Sequence, residues 1–473
     1  MHVLFVYPDI TYEEYRTASV WKGKYYTGIG HLSSWLKSKG HTTSLYHVTH
    51  DITAEEFAKK LATYENVDLI GFSYTTQMSR FAKRYIAACK ELWPNVPVIS
   101  GGAFPTLVPD RVFTETQSDF ACVGDGEVPL GILCDALENQ TGLDDVPNIW
   151  YRKEDGEVVS KTFQNSTPNL DILPFPDRDL FDFPNLEAER GGMTTLGAGR
   201  GCPYGCTYCS NNYLKKMFHG NQPYLRQRSP ENVVQEAEEI IKKYPFIKEF
   251  FFIDDILPIN RDWFRELAKL YAERVNIPYH CAIYPKLINE DILDSLKLSN
   301  CKTLNIGLES GNEEIRKSLL KRNLPTDFLK GVIDMCRNYD IRLLTFNILG
   351  LPGETFNQML ETVDLNAYAF RGSDDINAAA SIFYPYEQTD LHTLCETEGL
   401  IPNSVPRVNS HFQDSILDYT EDDKVMIKAV QRHFKDLVKI SMKEGPLAER
   451  GDTEVINIMR DLDSKAATAA AVA

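Results

Sequence analysis

The chain has 473 residues, 43% of them hydrophobic, and a formal net charge of −17. This length predicts two or three domains, and the acidic balance argues against a nucleic-acid partner because phosphates would be repelled. No stretch approaches the roughly 18 uninterrupted apolar residues of a membrane span, and the N-terminus runs directly into a strand pattern, so we expect a cytoplasmic protein without a membrane span.

Residues 1–140 alternate short β-rich runs with helical stretches. The β-rich runs are VLFVYP, TTSLYHV, VDLIGFSY, VPVISGG and DFACVGDG. One of the helical stretches, TAEEFAKKLATY, opens on a capping box formed by Thr53 and Glu56. The alternation predicts a five-unit, doubly wound α/β domain of the flavodoxin-like type, in which ligands bind at the carboxyl ends of the strands.

Glycine and small hydroxyl residues are common in the loops after these strands. The loops include SYTTQMS, GGAFPTLVP and GDGE, and the chain has neither a GxGxxG nor a GxxxxGK[ST] motif, which makes a dinucleotide or a P-loop nucleotide less expected here. Gly101, Gly102, Gly124 and Gly126 could let two adjacent loops approach a large planar ligand. The alternative is that such glycines serve only tight turns.

Residues 141–190 interrupt the alternation and predict an ordered linker, because NSTPNLDILPFPDRDLFDFPNLE is dense in proline and aspartate and has no helical or strand period. Six further β-rich runs follow over residues 191–386. They are MTTLGAG, IKEFFFIDD, YHCAIYP, TLNIGLESG, IRLLTFNILGLPG and INAAASIFYP. These runs predict a partial or complete barrel of the (β/α)6 type, with its chemistry at the carboxyl ends of the strands.

The segment 387–473 predicts a mostly helical C-terminal region, since EDDKVMIKAVQRHFKDLVKISMK has apolar residues at helical spacing. Several aromatic residues precede it near the predicted barrel mouth. Tyr284, Phe346 and Tyr386 could line a substrate cavity or belong to the core.

Three of the ten cysteines cluster after the first predicted barrel strand. Cys202, Cys206 and Cys209 lie in GRGCPYGCTYC, whereas the other seven are scattered singly. In a chain without a secretion signal, clustered cysteines favour a metal site over disulfides. A structural zinc site or a complete iron–sulfur cluster uses four protein ligands, so three cysteines predict a site with one open position.

Acidic residues follow other strands of the predicted barrel. Asp254 and Asp255 close the second strand, Glu309 closes the fourth, and Glu354 follows the fifth. Glu309 and Glu354 flank glycine-rich turns whose amides could bind a ligand's carboxylate, while their own carboxylates could hold an ammonium group or a ribose. The alternative interpretation of Asp255 is a helix N-cap.

The cysteine run, placed after the first strand of a barrel, resembles the signature of the radical S-adenosylmethionine (SAM) enzymes. In that family three thiolates hold a [4Fe–4S] cluster, SAM binds the fourth iron, and the reduced cluster cleaves SAM to a 5′-deoxyadenosyl radical. With the upstream α/β domain, roughly residues 1–400 resemble the cobalamin-binding subclass. The matching pieces are IGFSYTT, GGAFPT, CVGDGE, GRGCPYGCTYC, FIDD, IGLESG, GLPGE and YPYEQTDL.

The resemblance implies three sets of site residues. The catalytic set comprises the cluster ligands Cys202, Cys206 and Cys209 together with Glu309. The residues implied to bind SAM are Tyr208, Asp255, Glu309, Gly350 and Glu354. The residues implied to bind cobalamin are Ser73, Tyr74, Thr76, Gln77, Gly101, Gly102, Phe104, Gly124, Gly126 and Glu127.

Departures from the family pattern refine these expectations. The DxHxxG motif that supplies a cobalt-binding histidine is absent, so the cobalamin is expected in base-off form without a protein histidine ligand. Tyr74, Thr75, Thr76 and Gln77 then become the candidates to face the lower side of the corrin. Phe104 stands where the family often has histidine, and Glu387-Gln388 stands where it often has Pro-Gly.

The resemblance implies a cobalamin-dependent (class B) radical SAM methyltransferase. It would move a methyl group from SAM through methylcobalamin to an unactivated carbon of an organic or peptidyl substrate, with electrons from a flavodoxin or ferredoxin. A radical cyclase, oxidase or rearrangement enzyme would share the architecture, and a non-catalytic cobalamin and redox sensor is an alternative of another class. The motifs mark cofactors and not the fate of the radical, so the sequence leaves these functions open.

Overall fold

The computed structural model describes residues 1–10, 23–153, 155–218, 223–402 and 414–472. These residues form two compact units. The first unit comprises residues 1–203 with 210–251, and the second comprises residues 204–209 with the chain from 252 onward.

A seven-stranded sheet occupies the N-terminal part of the first unit. Its strands are β1 (His2–Pro8), β2 (Thr42–Val48), β3 (Leu69–Ser73), β4 (Val98–Gly101), β5 (Phe120–Cys122), β6 (Ile149–Arg152) and β7 (Val158–Val159). The accompanying helices are α1 (Thr27–Ser38), α2 (Ala54–Leu61), α3 (Ser79–Leu92), α4 (Ala103–Leu107), α5 (Pro109–Glu115) and α6 (Glu127–Glu138). The strand order is β2-β1-β3-β4-β5-β6-β7, and β1 to β5 pair in parallel. The predicted doubly wound domain is therefore confirmed.

The composition of these strands explains the arrangement. All five residues of β3 are buried, as expected for a parallel strand that is covered on both faces. The predicted capping box is confirmed at the start of α2, where the Glu56 amide donates to Thr53 Oγ1 at 3.1 Å and the Thr53 amide donates to the Glu56 carboxylate at 2.9 Å. Local sequence signals therefore define both the strands and this helix start.

Two short strands lie within the predicted linker and were not predicted. β6 pairs antiparallel with β5, and β7 pairs antiparallel with β6, so they continue the sheet past its last parallel strand. A sheet edge offers unpaired amides and carbonyls to any neighbouring segment, and no local pattern in the segment itself reveals this. In the stretch 165–187 the structure has one short 3₁₀ helix, Leu170–Ile172, and the beginning of helix α7 (Phe183–Glu189). The domain boundaries at 140 and 190 stay predictions.

The predicted barrel strands form a second sheet. The remaining strands in chain order are β8 (Met193–Leu196), β9 (Gly199–Arg200), β10 (Arg226–Gln227), β11 (Glu249–Phe252), β12 (Tyr279–Ile283), β13 (Cys301–Glu309), β14 (Arg342–Leu349) and β15 (Ala378–Ile382). The helices that follow α7 are α8 (Ser210–Met217), α9 (Pro230–Lys243), α10 (Arg261–Arg274), α11 (Glu290–Leu298), α12 (Thr326–Asn338), α13 (Phe356–Phe370) and α14 (Asp390–Thr397).

This second sheet has six strands in the order β15-β14-β13-β12-β11-β8, and β9 pairs with β10 in a separate antiparallel ribbon. The strands from β12 to β15 pair in parallel. All six predicted strands are present, and within the described residues β8 and β15 do not pair to close the sheet. Of the two predicted forms, the structure has the partial barrel.

The C-terminal region is helical, as predicted. The stretch predicted as one helix is divided at His433 into α15 (Glu421–Arg432) and α16 (Phe434–Glu444), and α17 (Asp452–Val472) follows. Ile427 of α15 and Leu437 of α16 are among the buried residues, so both helices pack on the unit that contains them. Among the described helices, none is both long enough and apolar enough to cross a bilayer.

A buried charge triad stabilises the first unit. The Glu236 carboxylate on α9 accepts hydrogen bonds from Arg178 at 2.6 Å and from Arg228, and all three side chains are almost fully buried. Burial alone would raise the pKa of Glu236, but the two guanidiniums outweigh it and hold this pKa at about 2. A buried ion pair is costly to break because the remaining charge is left without compensation.

We expect Glu236→Ala to lower the free energy of unfolding by about 3–5 kcal/mol, because it removes the buried carboxylate that pairs with two buried guanidiniums. The control is Glu239→Ala on the exposed side of the same helix. Chemical denaturation followed by circular dichroism measures both variants. Equal stability of the two variants would contradict the role assigned to the triad.

Candidate functional site

The cysteine loop, residues 201–209, connects β9 to α8. Cys206 is buried, Cys202 and Cys209 are half-buried, and the Cys209 amide donates to the Cys206 carbonyl at 3.2 Å. All ten cysteines fall in the described part of the chain, and none is in a disulfide. Burial raises the pKa of five of the other seven to about 12, as expected for cysteines packed as small hydrophobic residues. These five are Cys89, Cys122, Cys134, Cys336 and Cys395.

A π-helical turn, Ile315–Leu319, anchors this loop. The Leu320 amide donates to the Ile315 carbonyl at 3.0 Å, which is the wider spacing of a π turn. Thr207 donates from its hydroxyl to the Leu319 carbonyl at 2.6 Å and from its amide to the Leu320 carbonyl at 3.4 Å. The turn therefore supplies the acceptors that fix the backbone between Cys206 and Cys209.

Arg316 organises the segment on both sides of this turn. Its guanidinium is fully buried and donates to the carbonyls of Ser310, Gly311 and Leu324 at 2.7 to 3.0 Å and to Thr326 Oγ1 at 2.7 Å. Burial lowers the pKa of Arg316 to about 10, outweighing its acidic neighbours. The residue ties the loop after β13 to the start of α12.

Glu309 ends β13 beside the cysteine loop, as predicted from the sequence. Its carboxylate is buried and accepts a hydrogen bond from the Tyr208 hydroxyl at 2.7 Å. A Cβ on Gly307 would lie 2.2 Å from Glu309 Oε1, so only glycine leaves room for this carboxylate. The register shifts between Gly307 and Glu309, and Glu309 has a φ of 65°, so a bulge turns its side chain out of the regular alternation. Burial raises the pKa of Glu309, although Arg322 and Tyr208 oppose the shift.

Arg322 is a central residue of this site that the sequence analysis missed. Its Nη1 lies 3.5 Å from Cys206 Sγ, 3.3 Å from the Tyr208 hydroxyl and 3.8 Å from Glu309 Oε1. Its Nη2 donates to the Gly307 carbonyl at 2.7 Å. In the sequence Arg322 lies 13 residues after Glu309, and this spacing alone does not predict a contact. The contact forms because the chain between them includes the π turn and returns to the cysteine loop.

Glu354 caps its own turn. Its Oε2 accepts from the amides of Gly350 at 2.7 Å and Leu351 at 3.1 Å, the amides that the sequence suggested for a ligand's carboxylate. Its Oε1 is buried, with no hydrogen-bond partner among the described residues. Burial raises the pKa of Glu354 to about 8, outweighing the two amides. Gly350 has a φ of 71°, and a Cβ there would meet Ile427 at 2.9 Å, so packing as well as the turn requires glycine.

Asp255 follows β11 and is exposed. The alternative interpretation of Asp255 as a helix N-cap is wrong, because α10 is capped by Asn260, whose side chain accepts from the Trp263 amide at 3.1 Å. Its assignment to SAM stays a prediction.

The predicted cobalamin residues lie at one edge of the first sheet. Because β1, β3, β4 and β5 are neighbours in the sheet, the loops after β3, β4 and β5 lie side by side. The order changes direction between β1 and β3, the position at which flavodoxin-like sheets bind ligands. Ser73 and Thr76 are buried, Gln77 is half-buried and Thr75 is exposed.

Tyr74 and Phe104 pack inside the domain. Each is buried, and their rings lie 5.7 Å apart. The Tyr74 amide donates to the Gly101 carbonyl at 3.1 Å, and the Phe104 amide donates to the Tyr74 carbonyl at 3.2 Å. A Cβ on Gly102, whose φ is 97°, would lie 2.8 Å from the Tyr74 backbone. Gly102 therefore permits loop-to-loop contact, whereas Gly101 has more open space with its nearest neighbours at 3.8 Å.

The loop after β5 is occupied by side chains of the first unit. A Cβ on Gly124 would lie 2.5 Å from the Phe163 ring, and one on Gly126 would lie 3.1 Å from Leu32. Glu127 is buried and bidentate to Arg200, at 2.5 and 3.2 Å. The carboxylate of Glu127 thus has a protein partner.

One face of β12 to β15 carries small side chains. The register aligns Gly307 with Phe346 and Phe346 with Ala379, and it aligns Asn305 with both Ala282 and Leu344. We call the face that carries Ala282, Asn305, Gly307, Leu344, Phe346 and Ala379 the inner face; three of these six residues are glycine or alanine. Phe346 is 42% exposed, so the cavity-lining interpretation suits it, whereas Tyr284 is buried. Asn305 is also buried, and its Oδ1 has no hydrogen-bond partner in the described part of the chain.

Family models match the two parts of the chain that carry these residues. Residues 26–133 match the B12 binding domain, and residues 197–365 match the radical SAM superfamily. The chain carries a radical SAM domain and a B12-binding domain. The cysteine loop, Glu309 and Arg322 all fall in the radical SAM segment, and the loops after β3, β4 and β5 fall in the B12-binding segment.

The chain is similar to proteins whose names give different activities. An uncharacterized methyltransferase of Pyrococcus horikoshii is 26% identical over 368 residues, covering 77% of each chain. An anaerobic magnesium-protoporphyrin IX monomethyl ester cyclase of Rubrivivax gelatinosus is 23% identical, covering 76% of this chain and 65% of that one. The structure of the radical SAM methyltransferase TsrM from Kitasatospora setae, with cobalamin and a [4Fe–4S] cluster bound, has a TM-score of 0.66 at 18% identity and covers 85% of this chain and 76% of that chain. At this identity the structural likeness establishes the fold.

The pKa of Glu354 predicts a pH-dependent stability. Its folded pKa of about 8 lies above the ordinary value of 4.5, so the protonated form is favoured in the folded state and stability is lost as pH rises between these values. We expect Glu354→Gln to remove a slope of up to ~1.4 kcal/mol per pH unit in the free energy of unfolding between about pH 5 and 8. Denaturation curves at several pH values measure the slope, with the exposed Glu266→Gln as the control. A slope that persists in Glu354→Gln would contradict the assignment.

Proposed function

We propose that this radical SAM protein is a cobalamin-dependent methyltransferase that transfers a methyl group to an unactivated carbon. The observation that carries the proposal is a buried cluster of side chains beside the cysteine loop. Tyr208 binds Glu309, and Arg322 lies near Glu309 and contacts Cys206. The same chain also carries a B12-binding domain. The methyltransferase name of the Pyrococcus horikoshii relative supports methyl transfer as the outcome.

The residues present fit a [4Fe–4S] cluster. Three thiols lie in one loop whose backbone is held by the π turn, and the Arg322 guanidinium lies 3.5 Å from the Cys206 sulfur. Three cysteine ligands leave one iron open, and a cluster bound there supplies the electron that cleaves SAM to a carbon-centred radical. We assign Cys202, Cys206 and Cys209 as the ligands.

Glu309 and Tyr208 are proposed to orient SAM. Among the described residues the buried Glu309 carboxylate has one hydrogen-bond donor, Tyr208, and it lies near Arg322, so it keeps acceptor capacity for an ammonium group or a ribose. Burial strengthens such a contact because the surroundings have a low effective dielectric constant. The Glu354 carboxylate is engaged by its own turn, and we propose that it supports the turn while Gly350 and Asp255 remain candidates for contact with SAM.

Cobalamin is proposed to bind at the edge formed by the loops after β3, β4 and β5. No histidine occurs in the loops 74–78, 102–108 or 123–126, which supports cobalamin without a protein histidine ligand, and we propose that it binds in base-off form. We assign Gly101 and the polar residues Ser73, Thr76 and Gln77 to the edge that meets the ligand; a Cβ on Gly101 would be in ordinary van der Waals contact at 3.8 Å. Tyr74 and Phe104 would hold the loops after β3 and β4 in position through their buried rings and backbone hydrogen bonds.

The inner face is proposed as the wall of the substrate chamber. Its small residues leave space beside Phe346, and the Asn305 Oδ1 requires a donor that an N–H or O–H of the substrate would provide. An organic or peptidyl substrate with an apolar reacting segment satisfies both features. An electron donor of the flavodoxin or ferredoxin type is proposed to supply the low-potential electrons, and the cytoplasmic location stays a prediction.

A cyclase is the second candidate, favoured by the likeness to the Rubrivivax gelatinosus protein. Both candidates require SAM cleavage, and they differ in whether the product gains a methyl group. A sensor would not require the buried carboxylate of Glu309 next to the cysteine loop, so the site favours an enzyme.

We expect the anaerobically reconstituted chain to hold one [4Fe–4S] cluster and to release methionine and 5′-deoxyadenosine from SAM on reduction. The Cys202→Ala, Cys206→Ala, Cys209→Ala triple variant should lose both the cluster and SAM cleavage, because no other protein thiolates replace these ligands. Iron and sulfide analysis, electron paramagnetic resonance and product chromatography measure the outcome, with Cys395→Ala as the control. Full cluster content and SAM cleavage in the triple variant would overturn the ligand assignment.

Cobalamin binding provides a separate prediction. The reconstituted chain should take up cobalamin in base-off form, and the electron paramagnetic resonance spectrum of the cob(II)alamin state should lack nitrogen splitting from an axial ligand. A spectrum with such splitting would contradict the proposed lower face. Absence of cobalamin uptake would remove the whole cobalamin assignment.

Glu309→Gln should lower 5′-deoxyadenosine formation and cobalamin methylation together by about 10- to 1000-fold, the range for loss of a positioning contact at a buried site. The reason is that one bound SAM position is proposed to serve both half-reactions. Both are measured at saturating SAM, with the exposed Glu314→Gln as the matched control. Loss of radical cleavage with full methylation would show a second methyl-donor site.

A further inference from the structure

We propose that Arg322 is a positioning residue that makes the reduction potential of the [4Fe–4S] cluster less negative through its contact with the Cys206 sulfur. The inference rests on the proposed function, because it requires a cluster on the cysteine loop. It goes further by assigning control of electron uptake to a residue that is not a ligand.

The contacts of Arg322 concentrate its charge on the cysteine loop. Nη1 faces Cys206 Sγ at 3.5 Å, a distance suited to an N–H···S hydrogen bond, and it also lies 3.3 Å from the Tyr208 hydroxyl. Nη2 is fixed by the Gly307 carbonyl at 2.7 Å. One nitrogen thus anchors the guanidinium to β13 while the other is held against the sulfur.

An aromatic stack restrains the guanidinium from the other side. Its centre lies 4.6 Å from the Tyr284 ring centroid, and Tyr284 is stacked on Tyr204 at 3.6 Å and 19°. Tyr204 belongs to the same loop as Cys206, so the stack returns to the cluster ligands. Cation–π contact of this kind is strongest where the cation is desolvated, and Arg322 is only 5% exposed.

Charge balance at the site explains why the guanidinium acts on the sulfur. Glu309 is the formally acidic neighbour of Arg322, but its nearest oxygen is 3.8 Å away, beyond a normal hydrogen bond. A Cys206 thiolate bound to the proposed cluster would place a second negative charge 3.5 Å from Nη1. In this buried setting the attraction is weakly screened.

The physical consequence concerns the two oxidation states of the cluster. Reduction adds one negative charge that is shared with the ligand sulfurs, and a nearby cation with an N–H···S bond stabilises the more negative state. The cluster is therefore easier to reduce with Arg322 in place. Removing the positive charge should shift the midpoint potential in the negative direction.

The test compares Arg322→Gln and Arg322→Lys in the full, anaerobically reconstituted chain. Arg322→Gln removes the charge, whereas Arg322→Lys keeps the charge and loses the planar contacts with Tyr284 and Gly307. The control is Arg337→Gln, an exposed arginine on α12 that pairs with Asp334. The readout is the midpoint potential in the absence of SAM, from a redox titration followed by electron paramagnetic resonance, together with cluster content and melting temperature.

We expect the midpoint potential of Arg322→Gln to be clearly more negative than that of the wild type, that of Arg322→Lys to lie between them, and that of Arg337→Gln to be unchanged. An unchanged potential in Arg322→Gln at full cluster content would overturn the inference and leave the proposed function intact. If Arg322→Gln fails to hold a cluster, Arg322→Lys decides, and a wild-type potential in that variant would overturn the inference. A wild-type chain that takes up no [4Fe–4S] cluster would overturn both.

Discussion

Parallel pairing of strands is the constraint on which both candidate sites depend. Each parallel strand must be followed by a crossover, so neighbouring strands deliver their carboxyl ends, and the loops after them, to one edge of the sheet. In the first sheet this brings together the loops after β3, β4 and β5, although Ser73 and Gly124 are far apart in the chain. In the second sheet Glu309 is the last residue of β13, and the glycine turn with Glu354 follows β14. The two are neighbours because β13 pairs with β14.

Buried arginines convert this edge into a defined site. Arg316 donates to the carbonyls of the loop after β13, and Arg322 contacts Cys206, Tyr208 and Glu309. A buried guanidinium persists where carbonyls, sulfur, an aromatic face or a carboxylate surround it, since an unpaired buried charge costs several kcal/mol, about the stability of a small domain. The π turn, which contains Arg316 and precedes Arg322, provides the geometry, because its wider spacing presents the Leu319 carbonyl to Thr207. Such turns are frequent at functional sites.

Glycines and acids near the strand ends have roles that differ from one another. Gly307 gives space to the Glu309 carboxylate, and Gly102 allows the backbone of the loop after β4 to contact Tyr74. Glu127 pairs with Arg200 in the first unit, whereas the Glu354 carboxylate binds the amides of its own turn. A strand-end acid is thus a ligand candidate only when its carboxylate retains acceptor capacity after its protein partners are counted. Glu309 meets that condition, with the Tyr208 hydroxyl at 2.7 Å as its one hydrogen-bond donor among the described residues. Glu354 meets it through Oε1, which has no hydrogen-bond partner among them.

The sequence by itself determined the features that depend on local pattern and spacing. Hydrophobic runs and their alternation with helices predicted the five parallel strands of the first domain and the six of the second. The capping box predicted the start of α2, and the spacing of Cys202, Cys206 and Cys209 predicted the incomplete ligand set. These features depend on residues that are close together in the chain, so they can be predicted from the sequence.

Only the tertiary structure decided what depends on distant residues. Strand β6 forms because β5 offers an unpaired edge, and β7 then pairs with β6. The residues of β6 and β7 do not by themselves predict this pairing. Arg322 reaches Cys206 across 116 positions of sequence, and the Glu354 carboxylate turned back to its own amides instead of remaining open. The physical reason is the same in each case: burial and hydrogen-bond partners are set by which elements the fold brings together, and a side chain's chemistry depends on those partners.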